Sequence, residues 1–116
     1  MKQFEYNEKG IFTNPNEVAY SEAPLCFIKI HTACYPNGTW VYGYTLICGA
    51  GQTPNLYSSH PCTKMPFDLV HKSEINARRA AAMAIKEQLV NAQKGTPKCF
   101  EWLNDIILRQ LNLFEQ

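Results

Sequence analysis

The side chains best suited to nucleophilic or metal chemistry are Cys34, Cys48, Cys62 and Cys99, with His31, His60 and His71 as bases or ligands. A cysteine–histidine nucleophile needs a base held close to the thiol and an electropositive setting that favours the thiolate. No local signature of that kind surrounds any of these cysteines, and cysteines inside strands usually pack as small apolar residues. His60-Pro61-Cys62 with His71 offers three borderline zinc ligands in one loop, but a fourth must come from elsewhere and the paired C-x2-C spacing is absent. A polar surface loop accounts for them without a metal. Gly49-Ala50-Gly51 matches a phosphate loop only superficially, because a dinucleotide fingerprint runs from a strand through three spaced glycines directly into a helix, and here no helix follows. Carboxylates are few and none are paired for acid–base work. The expectation is a protein that is not an enzyme and carries no metal or cofactor.

Aromatic chemistry is better represented. In Cys26 to Cys48, reading CFIKIHTACYPNGTWVYGYTLIC, Asn37-Gly38 separates two alternating apolar runs. A two-residue turn there, with both residues at positive φ, predicts a hairpin. It sets Pro36 opposite Thr39, Tyr35 opposite Trp40, Ala33 opposite Tyr42 and His31 opposite Tyr44. Opposed residues share a face. One face would then carry Ile28, Ile30, Cys34, Val41, Thr45 and Ile47, with a gap at Gly43, and reads as core. The other would carry Lys29, His31, Tyr35, Trp40, Tyr42, Tyr44 and Leu46, either a platform on which bases stack or a second packed layer.

The elements that must hold these side chains fit one domain of 116 residues, a size that buries roughly two-thirds of its unfolded surface. With 46% hydrophobic and 18% charged residues the chain is expected to fold rather than remain disordered. No apolar run approaches the roughly 20 residues that span a bilayer, and the opening MKQFEYNEKG lacks a hydrophobic signal core, so a cytoplasmic protein without membrane contact is expected. The five cysteines are odd in number and irregularly spaced, which fits reduced thiols better than a disulfide framework.

Along the chain, residues 1–24 read as an extended arm or a short hairpin, with Phe4-Glu5-Tyr6 and Ile11-Phe12-Thr13 flanking a turn composition, and Glu17 to Pro24 show no periodic signal. Asn55 to Ser59 form a possible third strand, and Phe67 to His71 an alternative last one. Ser73 is a predicted N-cap for a helix over about 73–92, whose stripe of Ile75, Ala82, Ile85 and Leu89 is widened by Ala81 and Ala92. Gly95 reads as its C-terminal cap. Thr96-Pro97 then opens a second helix over 97–114, where Phe100, Leu103, Ile107, Leu111 and Phe114, with Trp102, Ile106 and Leu113, make an arc wide enough to be buried on two sides. The predicted fold is α+β, an antiparallel sheet of three to five strands around the 26–48 hairpin followed by two helices.

Net charge is +1 but unevenly spread. Lys72, Arg78, Arg79, Lys86, Lys94 and Lys98 oppose Glu74 and Glu87 over residues 72–98, giving +4, whereas Arg109 opposes Glu101, Asp105 and Glu115 over 99–116, giving −2. The functional expectation is a non-enzymatic protein that binds nucleic acid or a nucleotide, with Trp40, Tyr42, Tyr44 and Tyr35 stacking on bases beside His31, and phosphate contacts from Lys29, Arg78 or Arg79. The rival is a protein-interaction or inhibitor module, oligomeric, acting through the second helix and the 49–72 loop. The wide apolar arc of that helix favours a homodimer.

Overall fold

The computed structural model describes residues 3–22, 26–48, 55–63 and 70–114, with side chains described except at 55–56 and 109–114. Among the described residues five strands precede two helices: β1 (Asn16–Glu22), β2 (Cys26–Cys34), β3 (Trp40–Cys48), β4 (Asn55–Ser58), β5 (Val70–His71), α1 (Glu74–Ala92) and α2 (Pro97–Phe114). All pairings are antiparallel in the order β1-β2-β3-β4. β5 shares the second edge of β3 with β4, pairing Trp40 with His71 and Val41 with Val70. The architecture is the expected α+β one, a sheet followed by two helices. β1 falls where the sequence shows no periodicity. It is an edge strand with only Val18 and Tyr20 as large apolar residues packed on the core, too few to make a pattern.

The central hairpin forms, but its register is one residue away from the expected one. Pairing runs Cys34 to Trp40, Ala33 to Val41, Thr32 to Tyr42, His31 to Gly43 and Ile30 to Tyr44. The connection is a three-residue loop, closed by Tyr35 N donating to Thr39 O at 2.8 Å and Gly38 N donating to Tyr35 O at 2.9 Å. Pro36 explains it. In a two-residue turn, proline would occupy the last ladder position and lack an N–H to donate, whereas its fixed φ suits the second position of a type I turn. Gly38 then takes the left-handed position that follows (φ +89°), and Asn37 Oδ1 accepts from Thr39 N at 3.0 Å.

Because side chains alternate with period two, that slip moves the whole of β3 to the other face relative to β2. Cys26, Ile28, Ile30, Thr32 and Cys34 share a face with Trp40, Tyr42, Tyr44, Leu46 and Cys48. This face is covered by α1 and α2. The main core joins Ile28, Ile30, Tyr42, Tyr44 and Leu46 to Ala77, Ala81, Ala82, Ile85, Leu89 and Leu103. Each large apolar side chain buried there contributes roughly 1.5–3 kcal/mol before entropy, and the alanines of α1 bring its backbone close to the sheet. Ile75 and Ala92, expected in the stripe, are exposed at the two ends of the helix.

Ser73 caps α1 as expected, its hydroxyl accepting from Asn76 N at 3.1 Å. The adjacent Glu74 carboxylate accepts from Asn16 Nδ2 at 2.6 Å and from the buried Thr32 hydroxyl at 2.9 Å, which fixes the start of α1 against β1 and β2. The left-handed residue closing α1 is Gln93, not Gly95. Lys94 N reaches back to Leu89 O at 2.9 Å, and Gly95 supplies a second positive φ just beyond. Thr96 opens α2, accepting from Cys99 N at 3.1 Å while donating to the Glu22 carboxylate. Leu111, Leu113 and Phe114 of the predicted arc fall among the residues whose side chains are not described, and Phe67 lies outside the described residues.

The second sheet face carries Phe27, Lys29, His31 and Ala33 with Val41, Gly43, Thr45 and Ile47. A short N-terminal hairpin, bridged at Tyr6 and Phe12, folds onto one end of it. There Phe12, Ala33 and Val41 make a second small core with Phe4, Tyr35 and Val70 at its edge. Phe12 N donates to Pro61 O at 3.0 Å, which links this hairpin to the segment crossing the sheet beside Gly43.

Candidate functional site

The eight residues expected to bind a ligand are dispersed over four places. Tyr42 and Tyr44 are 9% and 5% exposed beneath α1, where the changed register puts them in the main core and neither in an open platform nor in a second packed layer. Tyr44 stacks on Tyr57 with ring centroids 4.9 Å apart, and burial pushes its hydroxyl well above the usual tyrosine range. Trp40 is half-buried at the hairpin end, edge-on to Phe4 at 5.6 Å. Tyr35 stacks on Phe12 at 6.0 Å and donates its hydroxyl to Cys62 O at 2.8 Å. Arg78 pairs with Glu74 one turn earlier at 3.5 Å, and Arg79 is half-buried on α1.

Lys29 and His31 meet on the second sheet face around Glu17 of β1, with Lys29 Nζ 3.3 Å from one carboxylate oxygen and His31 Nδ1 3.5 Å from the other. The His60 ring lies 6.0 Å from that of His31. Burial lowers the His31 pKa, and the Glu17 charge opposes that shift. Lys29 is thus occupied by a carboxylate, and the cluster is electrically balanced rather than basic. His60, Cys62 and His71 do not converge: among the described residues no three His, Cys, Asp or Glu side chains are placed to hold a metal ion.

Three concave surfaces stand out among the described residues. The first lies between the N-terminal hairpin and the β2–β3 turn, a cleft of about 440 Å³ whose walls include Phe4, Tyr6, Phe12, Cys34, Tyr35 and Pro36. It gathers one predicted residue, Tyr35, with aromatic residues from the segment read only as an arm or hairpin. The second is a groove of about 710 Å³ on the helix layer, where Ala80, Met83, Ala84 and Val90 of α1 meet Ile107 of α2. Met83 is 46% and Val90 58% exposed. Lys86 and Glu87 edge this groove, and Lys86 Nζ donates to Asn104 Oδ1 across the two helices at 2.8 Å. A neighbouring hollow on α2 is lined by Phe100, Glu101, Asn104, Asp105 and Leu108. Sequence reasoning concentrated on the inward stripe of α1 and missed Met83 and Val90. Their seven-residue spacing, two helical turns, was the available signal.

The fold and these surfaces define a small two-layer α+β protein with an apolar groove on its helical side and an aromatic cleft at its hairpin end. In comparison with known proteins, the chain matches no family model, no curated protein and no solved structure.

Proposed function

We propose that the chain is a non-enzymatic interaction module that pairs with a second copy of itself through the outer surface of its helix layer. The observation that carries this reading is the exposure of Met83, Val90 and Leu108 around the groove and hollow of α1 and α2. Large apolar side chains grouped in this way gain most when a partner removes them from water. A second copy is the partner that such a patch fits most simply, because one self-complementary contact serves both protomers. α1 carries Arg78, Arg79 and Lys86 against Glu74 and Glu87, a net of +1, and α2 carries Lys98 and Arg109 against Glu101 and Asp105, a net of zero, so two copies meet without strong like-charge repulsion, and a two-fold axis covers the apolar patch of both protomers at once.

The test is sedimentation equilibrium on the full chain at micromolar concentration. Twice the protomer mass of 13.2 kDa is expected for the wild type and the protomer mass for Met83→Glu/Val90→Glu, with the circular dichroism spectrum unchanged. A wild-type protein that sediments as a monomer throughout would overturn the reading.

A second reading, binding of a nucleotide or a single-stranded nucleic acid, is supported by the aromatic cleft. Its volume of about 440 Å³ lies within the range of small-molecule sites, and Tyr6, Phe12 and Tyr35 are residue types on which a base can stack.

A further inference from the structure

Three buried cysteines occupy one corner of the main core: Cys26 at the start of β2, Cys48 directly opposite it at the end of β3, and Cys99 in the first turn of α2. The sulfurs of Cys26 and Cys99 are in contact, Sγ to Sγ 3.3 Å, although 73 residues separate them in the chain. We propose that Cys26 and Cys99 form a site of covalent modification, closing into an intramolecular disulfide when the protein meets a small-molecule disulfide such as oxidised glutathione.

The contact is an S–H to S interaction between two reduced thiols. Bond formation needs the sulfurs to approach by a little over 1 Å, to about 2.05 Å, which side-chain rotation within a packed corner can supply. One cysteine thiolate attacks a sulfur of the glutathione disulfide, forming a mixed disulfide and releasing one glutathione thiolate. The second cysteine thiolate then attacks the protein sulfur of that mixed disulfide and displaces the other glutathione. Both protein sulfurs are oxidised, the reagent disulfide is reduced to two thiols, and the two cysteine protons end on the two glutathiones. Cys48 is the alternative partner by position, but a Cys26–Cys48 bond would join strands already laddered together. A Cys26–Cys99 bond ties α2 to the sheet at the helix's capped end.

Access sets the pace. Both sulfurs lie in residues with at most 2% exposure, and burial together with the Cys99 contact pushes the Cys26 thiol up to about 12. Oxidation therefore proceeds through opening of the first turn of α2, where Thr96 holds both the Cys99 amide and Glu22.

The experiment incubates the full chain with oxidised glutathione or with dithiothreitol, alkylates it, and reads intact mass, a peptide map and the thermal midpoint. The oxidised sample should lose two of its five alkylation sites, yield a linked Cys26–Cys99 peptide, and melt higher by on the order of 10 °C, because the bond closes a long loop in the unfolded chain. Cys99→Ser, which keeps a small polar side chain at the site, should abolish both the link and the shift. Five alkylatable thiols after oxidation, a lasting glutathione adduct, or a Cys26–Cys48 link in its place would each overturn the proposal.

Discussion

Gly43→Ala tests the register on which the placement of every β2 and β3 side chain depends. Gly43 stands opposite His31 on the face crossed by residues 59–61. A Cβ there would lie 2.6 Å from the Ser59 carbonyl oxygen and 2.8 Å from both Pro61 N and Cδ, against 3.4 Å for ordinary contact, so at least 0.8 Å must be recovered. The obstacles are backbone and a proline ring, and they are anchored: Ser59 N donates to Tyr44 O at 2.8 Å and Phe12 N donates to Pro61 O at 3.0 Å. Overpacking of this kind costs about 1–3 kcal/mol, and straining one of those hydrogen bonds adds about 1 kcal/mol. Loss of glycine's freedom in the unfolded chain offsets less than that. The net is about 2–3 kcal/mol, or a thermal midpoint lower by roughly 10 °C in a domain of this size. Urea and thermal unfolding followed by circular dichroism would measure it. Gly38→Ala serves as the comparison, since nothing lies within 4 Å of its Cβ and only the positive φ of +89° is strained, at about 1–2 kcal/mol. In the register expected from a two-residue turn, Gly43 leaves a gap on the core face, and the added methyl would stabilise. A Gly43→Ala protein as stable as wild type or more so would therefore refute both the crossing of 59–61 and the observed pairing.

Stability should fall as the pH is lowered from neutral. The pKa values of His31 and His71 are both lowered by burial in the folded chain, so the unfolded chain binds more protons below its histidine pKa of about 6.5, and the loss continues until the depressed folded values are passed. Urea midpoints at a series of pH values should show this slope, and His31→Gln/His71→Gln should flatten it; a wild type whose stability is constant or rises toward pH 5 would contradict the assignment. For the nucleotide reading, Trp102→Phe leaves Trp40 as the sole indole, 5.6 Å from Phe4 on the wall of the cleft. Titration with single-stranded oligonucleotides and mixed nucleotides should then change Trp40 emission, with little dependence on salt because no lysine or arginine is among the described lining residues; an unresponsive Trp40 would count against the cleft as a base-binding site.

The helices were legible because their signals are local and redundant. Ser73 and Thr96-Pro97 mark both N-termini, and the stripe through Ala82, Ile85 and Leu89 follows one helical face. The hairpin's existence was equally plain, yet its register turned on whether Asn37-Gly38 or Pro36-Asn37-Gly38 forms the loop, a choice decided by the missing N–H of Pro36. Two alternating apolar sets of similar size gave no independent check on which face was core. With both faces apolar, either register buries hydrophobic side chains, and the turn alone decides. β1 and the aromatic cleft were less accessible for a different reason. Val18 and Tyr20 are too few to make a period, and Phe4, Tyr6 and Phe12 come together with Tyr35 only once the N-terminal hairpin has docked.

The two proposed surfaces are separate, the groove on the helix layer and the cleft at the hairpin end, and this has a consequence for how they would work together. The helices cover the face that carries Ile30 and Tyr44, whereas Phe12 of the cleft packs with Ala33 and Val41 on the other. A dimer joined through α1 and α2 therefore uses none of the cleft's lining residues and carries one cleft on each protomer. A ligand with two recognition segments on a flexible connection would engage the second cleft at an effective concentration set by that connection. Its avidity could then exceed either single affinity by roughly 10²–10⁴ without any new contact. Weak recognition in a neutral aromatic cleft, with no lysine or arginine among its described lining residues, is the situation in which pairing of the module would matter most.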